Sequence, residues 1–182
     1  MNNPNLPFDA AILARMEEMA VAEARKTLTA RRFLPVEGPF GEGYVAVPVG
    51  NDDQRQHVPH GATTIISRTI PVPMIFRHFT LSRRRIAAHT EMGQPLDLSP
   101  LTQAALEVAS REEELIYRGD PEFGLAGLCT VEGRNHLEGG DWKDVEQVLR
   151  DVLSATTLLD AARYHGPYAL ALEPRLYNDL FR

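Results

Sequence analysis

Apolar residues recur along this chain with two periods. Helical spacing marks the first long stretch, from Asp9 to about Ala30, where Ile12, Leu13, Met16, Met19, Ala20 and Leu28 share a face and Asp9 stands where a cap is needed. A second begins at Ser99 and carries Leu101, Ala104, Ala105, Val108, Leu115 and Ile116 as one stripe. Gln103, Glu107, Ser110, Arg111, Glu114 and Arg118 fall mostly on its other side. Ser99 is expected to cap this helix, Pro100 suits its first position, and Gly119 followed by Asp120-Pro121 ends it. After Asp141, Trp142, Val145, Val148, Leu149, Val152 and Leu153 predict a helix to about Asp160 or beyond. Shorter helices are expected after Ser82, with Arg83–Arg85, and from Pro174 to Leu180.

Strand spacing marks other stretches. Tyr44–Val49 alternates loosely, and Thr63–Ile70 is rich in β-branched residues, so the two predict a long hairpin around a polar, turn-rich loop from Gly50 to Gly61. A two-stranded hairpin alone is barely stable in water, which suits an arm covered by a neighbouring subunit. Pro71–Leu81 reads as extended, Gly166–Leu172 as a turn and a buried strand, Thr130–Gly140 as a loop, and Met1–Pro7 as a loose arm. The fold class is therefore α+β. Glu112 falls inside the apolar stripe of the long helix, and a buried carboxylate needs a partner. An arginine is expected there, Arg77 being favoured, so that Glu112→Gln impairs folding or assembly.

Composition narrows the function. The chain has 182 residues, 43% hydrophobic and 24% charged, with net charge −6, long enough for a sizeable core and too acidic for a general nucleic-acid binder. Cys129 is the only cysteine and reads as a small buried residue; with no secretory signal, this points to a reducing, cytoplasmic setting. No apolar run approaches membrane-spanning length. His57 and His60 lack a third ligand nearby and read as solvated loop residues. Arg31-Arg32 reads as a solvated helix end. Two other readings are a small stand-alone hydrolase on Asp160, His165 and Ser154, and an anion- or nucleic-acid-binding module on Arg83–Arg85. No Gly-x-Ser-x-Gly elbow, phosphate-cradling glycine motif or paired zinc motif supports chemistry, and an enzyme is not expected.

Three motifs carry a resemblance. Glu112-Glu113-Glu114-Leu115-Ile116-Tyr117, with Arg118-Gly119-Asp120 and Gly124-Leu125-Ala126-Gly127-Leu128, resembles the central helix and following loop of the encapsulins, the linocin-like shell proteins of bacterial nanocompartments. Arg32-Phe33-Leu34 running to Val36-Glu37-Gly38-Pro39 is similar to a second family signature, although relatives often have an acidic residue where Pro35 stands. Gly166-Pro167-Tyr168 followed by Pro174-Arg175-Leu176-Tyr177 is similar to a third. The resemblance implies a Hong Kong 97-type phage-capsid-like fold. It divides the chain into an N-terminal helix and first peripheral strand (1–40), an extended-loop hairpin (41–78), a peripheral domain with the long helix (79–122) and a partial axial domain (123–182). It implies a structural shell protomer that self-assembles in the cytoplasm, forming a nanocompartment around a cargo protein with a targeting peptide, such as a ferritin-like protein or a peroxidase. The first helix would lie on the inner wall, with Met16, Met19, Leu28, Arg31 and Phe33 as cargo-binding residues; by composition alone its two-methionine face reads first as core packing. Arginine stands where some relatives place a flavin-stacking tryptophan near Arg83 or Arg84, so no flavin or other cofactor is expected. Neither membrane nor nucleic acid is expected as a partner. Encapsulins continue past the helix at Pro174, so a retained local fold with weakened or unusual assembly is expected of these 182 residues.

Overall fold

The computed structural model describes residues 8–50 and 53–180; the arm expected at Met1–Pro7 lies outside the described residues. Helices and short antiparallel strands are mixed, in two compact units, Met1–Thr130 and Val131–Arg182.

The first unit is built on two helices, α1 (Ala10–Thr27) and the longer helix Ser99–Arg118, which pack together. Asp9 caps α1 as expected, its Oδ1 accepting from Ile12 N at 2.7 Å. Met16, Leu98 and Leu101 form the buried cluster, flanked by Phe8, Ile12, Met19, Ala20, Leu81 and Leu96. Full burial of a side chain such as Leu101 or Met16 contributes roughly 1.5–3 kcal/mol. The helix ends at Thr27, and Ala30–Arg32 forms a separate 3-10 turn, so the single helix expected to reach about Ala30 is in fact broken.

Between these helices run four short strands: β1 (Ala46–Pro48), β2 (Gln54–Gln56), β3 (Thr64–Ile66) and β4 (Thr69–Pro71). Antiparallel pairing joins β1 to β4, with Val47 opposite Ile70, and β2 to β3, with Arg55 opposite Ile65. This is the expected hairpin. However, β2 falls within the stretch expected to be loop, because polar side chains do not stop a backbone from completing a ladder. Residues of β2, β3 and β4 are exposed throughout. The following residues, 72–82, carry neither helix nor strand.

Helix α2 (Arg83–Met92) starts after Ser82, whose side chain makes no capping bond. It ends at Gly93, left-handed at φ 66°, with Gly93 N donating to His89 O at 2.9 Å. The long helix is α3 (Ser99–Arg118). Its cap position is Leu98 rather than Ser99, and Asp97 Oδ1 takes the amide of Ser99 at 2.9 Å. An acid two residues upstream thus does what was expected of the serine hydroxyl.

The other end of α3 is closed by the next turn of chain. Strands β5 (Gly119–Asp120) and β6 (Leu125–Ala126) pair, bridged by a 3-10 turn, Pro121–Phe123. The four last carbonyls of α3 are all taken up: Gly119 N donates to Leu115 O, Leu128 N to Ile116 O and Cys129 N to Tyr117 O, both at 2.8 Å, and Thr130 Oγ1 to Arg118 O at 2.9 Å. These groups otherwise go unpaired at a helix end. Cys129 itself is exposed, not buried as expected, because its backbone rather than its side chain docks on the helix.

In the second unit, α4 (Val145–Ala161) starts later than the apolar pattern suggests. Asp144 is the cap, accepting from Glu146 N at 3.0 Å, and Trp142 stays outside the helix. Trp142 Nε1 donates to Asp151 Oδ2 at 2.8 Å, where Gly140 N also donates at 2.8 Å, and Gln147 Nε2 donates to Oδ1 at 2.7 Å. One carboxylate therefore ties the loop before α4 to the helix. Those donors, the Gly140 amide first, hold the Asp151 carboxyl below its ordinary range. The resulting stabilisation is complete above the unfolded value, about 3.9, and is lost as pH falls through the lower folded value. The fluorescence of Trp142, the only tryptophan, should thus hold steady down to about pH 4 and change only below. In Asp151→Ala the acid-state signal should already be present at neutral pH. A wild-type midpoint above the ordinary carboxylate range contradicts this role for Asp151.

Gly166–Leu172 is not a strand, and Leu170 is 59% exposed. A strand needs a ladder partner, and the described residues provide none for this segment. The unit ends in α5 (Pro174–Asp179), close to expectation.

Candidate functional site

The five residues expected to bind cargo do not share one surface. Met16 is buried in the α1–α3 core, and Met19 is half-buried against the same cluster. Both methionines thus pack internally, as composition had suggested. Phe33 is 38% exposed. Leu28 and Arg31 instead line a concavity of about 520 Å³ with Val21, Ala24, Arg25 and Arg32. Val21 and Ala24 form a second apolar row on α1, turned roughly 110° from Met16 at 100° per residue, and Leu28, just past the end of the helix, lines the same concavity. Sequence reasoning merged the two rows into one face. Separating them by angle finds Val21 and Ala24, which had been missed.

Two glutamates of α3 hold the turn that carries Arg31 and Arg32. Glu113 Oε1 accepts the amide of Ala30 at 2.9 Å, and its other oxygen accepts from Thr29 Oγ1. Ala30 is fully buried. Glu112 takes Arg31 in a two-pronged pair, Nε to Oε1 and an Nη to Oε2, the latter at 2.7 Å. That hydrogen bond, first among several contributions, raises the Arg31 pKa above its ordinary value. The partner expected for Glu112 was Arg77. Arg77 in fact reaches Glu107, at 2.6 Å. Nor is Glu112 buried: its side chain is 22% exposed. Five residues separate Glu107 from Glu112, a rotation of roughly 140°, so one arginine on the Glu107 side does not serve both.

The alternative sites gather little chemistry. His165 Nδ1 lies 3.1 Å from Asp160 Oδ1, and Tyr168 O–H also donates to that carboxylate. The Tyr168 bond, then the histidine, lowers the Asp160 pKa, while Tyr168 is raised by the carboxylate. Ser154 lies on α4, about 9 Å along the axis from Asp160, is exposed, and is not bonded to His165. Arg83–Arg85 opens α2, and Arg84 and Arg85 line a concavity of about 570 Å³ with Ser82, Glu91 and Gln94. His57 hydrogen-bonds Thr63 Oγ1 at 3.1 Å. Among the described residues, no three metal-ligating side chains cluster, and no helix is long and apolar enough to cross a membrane.

Comparison with known proteins places this chain in a family. A Myxococcus xanthus protein, type 1 encapsulin shell protein EncA, is 35% identical over 181 residues, which are 93% of this chain and 62% of that protein. A diheme-cytochrome-encapsulin shell fusion protein of Kuenenia stuttgartiensis is 30% identical over 165 residues, covering 86% of this chain and 46% of its own length. A type 1 encapsulin shell protein of Rhodococcus erythropolis is 29% identical over 167 residues, covering 91% and 62%. The chain thus spans less than two thirds of the length of these relatives. The family model described as encapsulating protein for peroxidase matches residues 1–182, and the chain belongs to that family, Linocin_M18.

Proposed function

We propose that this chain is a structural protomer of a self-assembling encapsulin shell enclosing a cargo protein. The observation that carries this reading is the hairpin. Its apolar side chains stand in solvent, Ile65 at 54% and Ile66 at 63% exposed, and Met74 just beyond at 75%. A run of exposed apolar residues on a two-stranded arm is stable only when something covers it, and each such side chain gains roughly 1.5–3 kcal/mol on burial. A neighbouring copy provides that cover. The names of the relatives support the same reading. It takes the fold as Hong Kong 97-type, with the four segments 1–40, 41–78, 79–122 and 123–182 as shell-fold parts. Chemistry is left to the cargo, a peroxidase or ferritin-like protein, in a cytoplasmic compartment. Cargo docks on the α1 side of the first unit, at Leu28 and Arg31, with Phe33 beside them and Met16 and Met19 supporting from the core.

Light scattering and electron microscopy of the purified chain test the assembly claim. Discrete oligomeric particles are expected. The double substitution Ile65→Asp, Ile66→Asp should abolish them while leaving circular dichroism unchanged, because neither side chain contributes to the α1–α3 core. Soluble monomers from the unmodified chain at all concentrations defeat the proposal.

A further inference from the structure

We propose that the segment between α4 and α5 is an interaction surface for the same segment of a second copy of this chain, the two pairing as antiparallel strands. In Tyr168-Ala169-Leu170-Ala171-Leu172, large and small apolar residues alternate with the period of a strand. All but Leu172 are exposed, and among the described residues the amides of Tyr168, Leu170 and Leu172 make no hydrogen bond. Both ends of the segment are held. Tyr168 O–H is shared between Asp160 and, at 2.7 Å, Tyr164 O, which ties the start to the end of α4. Glu173 O accepts from Tyr177 N at 3.0 Å, in the first turn of α5. Successive amides of a strand point to opposite edges. Pro167 has no N–H, and Ala169 and Ala171 share its edge, so the edge carrying the Tyr168, Leu170 and Leu172 donors is the one that can complete a ladder. Residues 166–172 carry no charge, whereas exposed edges are commonly guarded by one. Self-complementarity selects the occupant. In the register that sets Tyr168 opposite the partner's Leu170, Ala169 meets its own copy at the centre and His165 stands opposite the partner's Glu173. Two-fold symmetry makes each outer contact twice, including an aromatic–aliphatic pair across the strands. Glu173 is free for this role: it occupies the cap position of α5 without a capping bond, and no ion pair engages it among the described residues. His165 meets Asp160 through Nδ1, at 3.1 Å, which leaves Nε2 for the glutamate.

The test uses the full 182-residue chain carrying Ile65→Asp and Ile66→Asp, so that pairing is read apart from hairpin-driven particles. A ladder this short buries less than a standard interface, so association is weak, and concentrations up to the order of 1 mM are covered. Analytical ultracentrifugation should show a concentration-dependent dimer, with hydrogen-exchange protection of residues 168–172 rising in parallel. Leu170→Pro removes a donor from the pairing edge and should weaken the dimer about 10-fold or more. Ala169→Pro, on the Pro167 edge, should leave it within about 2-fold. His165→Glu sets like charges opposite one another at both ends and should weaken it about 3- to 10-fold. Adding Glu173→Lys to that variant should restore the dimer, which separates pairing from damage to the fold. Equal loss in the two proline variants, or no rescue, overturns the pairing. Protection already complete at the lowest concentration assigns the edge to a segment of the same chain and overturns it too, as does a monomer at every concentration. None of these results bears on the shell reading, which is tested with the hairpin unmodified.

Discussion

Gly127→Ala is expected to destabilise the first unit by about 3 kcal/mol or more, lowering its melting temperature by roughly 10 °C. A Cβ at Gly127 meets Gly119 N at 2.4 Å and Arg118 C at 2.5 Å; one at Gly119 meets Leu125 O at 2.2 Å and Gly127 N at 2.5 Å. All these neighbours are backbone, so no side chain can swing aside. Gly119 stands opposite Ala126 in the β5–β6 pair and Gly127 follows directly after β6, and the backbones approach this closely only because both glycines lack a Cβ. Gly119 also needs its positive φ of 73°. Separating the strands detaches the chain that closes α3, so the bonds to Ile116 O, Tyr117 O and Arg118 O go with it. Gly133→Ala is the control. Gly133 has φ +80° with open space around it, so only backbone strain of roughly 1–2 kcal/mol is expected there. Thermal unfolding by circular dichroism, with proteolysis of residues 119–130, separates the two cases. A Gly127→Ala protein that melts with the wild type rules out the close approach.

The second large effect concerns the paired glutamates of α3, and it reverses the ranking the sequence suggests. Glu113→Ala should cost about 1–3 kcal/mol, whereas Glu112→Ala or Glu112→Gln should cost no more than about 1 kcal/mol. Glu113 is the acceptor for the amide of a fully buried residue, Ala30, and for Thr29 Oγ1. Deleting it strands a buried donor, which carries the full desolvation cost. Glu112 and Arg31 are 22% and 49% exposed, so water replaces their bond cheaply. Urea denaturation of the three variants gives the order directly. A larger loss for Glu112→Ala than for Glu113→Ala contradicts it. Glu112→Gln should fold normally, although Arg31, freed from its partner, then adds a third positive group to the concavity.

Both effects bear on function through position. The loop after α3 and the turn after α1 are two places where non-helical chain is held to α3 by several named bonds, and the second carries Arg31 and Arg32 of the concavity. A shell subunit must present its interfaces on a fixed frame. In the first unit, α3 is that frame, while the apolar hairpin is left for a neighbour under the proposed function.

Much of this was legible in the sequence because the physics involved is local. Asp9 as a cap, Gly119 as a helix stop, the periodic apolar stripe of α3 and the two arms of the hairpin follow from spacing, φ preferences and side-chain reach over a few residues. The motifs that resemble the encapsulins were legible too, and the family match over residues 1–182 agrees with them. What periodicity could not supply was pairing at a distance. Choosing Arg31 over Arg77 for Glu112 depends on how α1 lies along α3, a contact between residues 81 positions apart. Splitting the apolar positions of α1 into a core row and a row at the concavity depends on which side meets Leu98 and Leu101. The exposure of Cys129 and the unpaired state of Gly166–Leu172 turned on whether other backbone was in reach. Local sequence sets which conformations a segment can adopt. Tertiary packing decides which groups meet, because burial and partner geometry depend on neighbours that are remote along the chain.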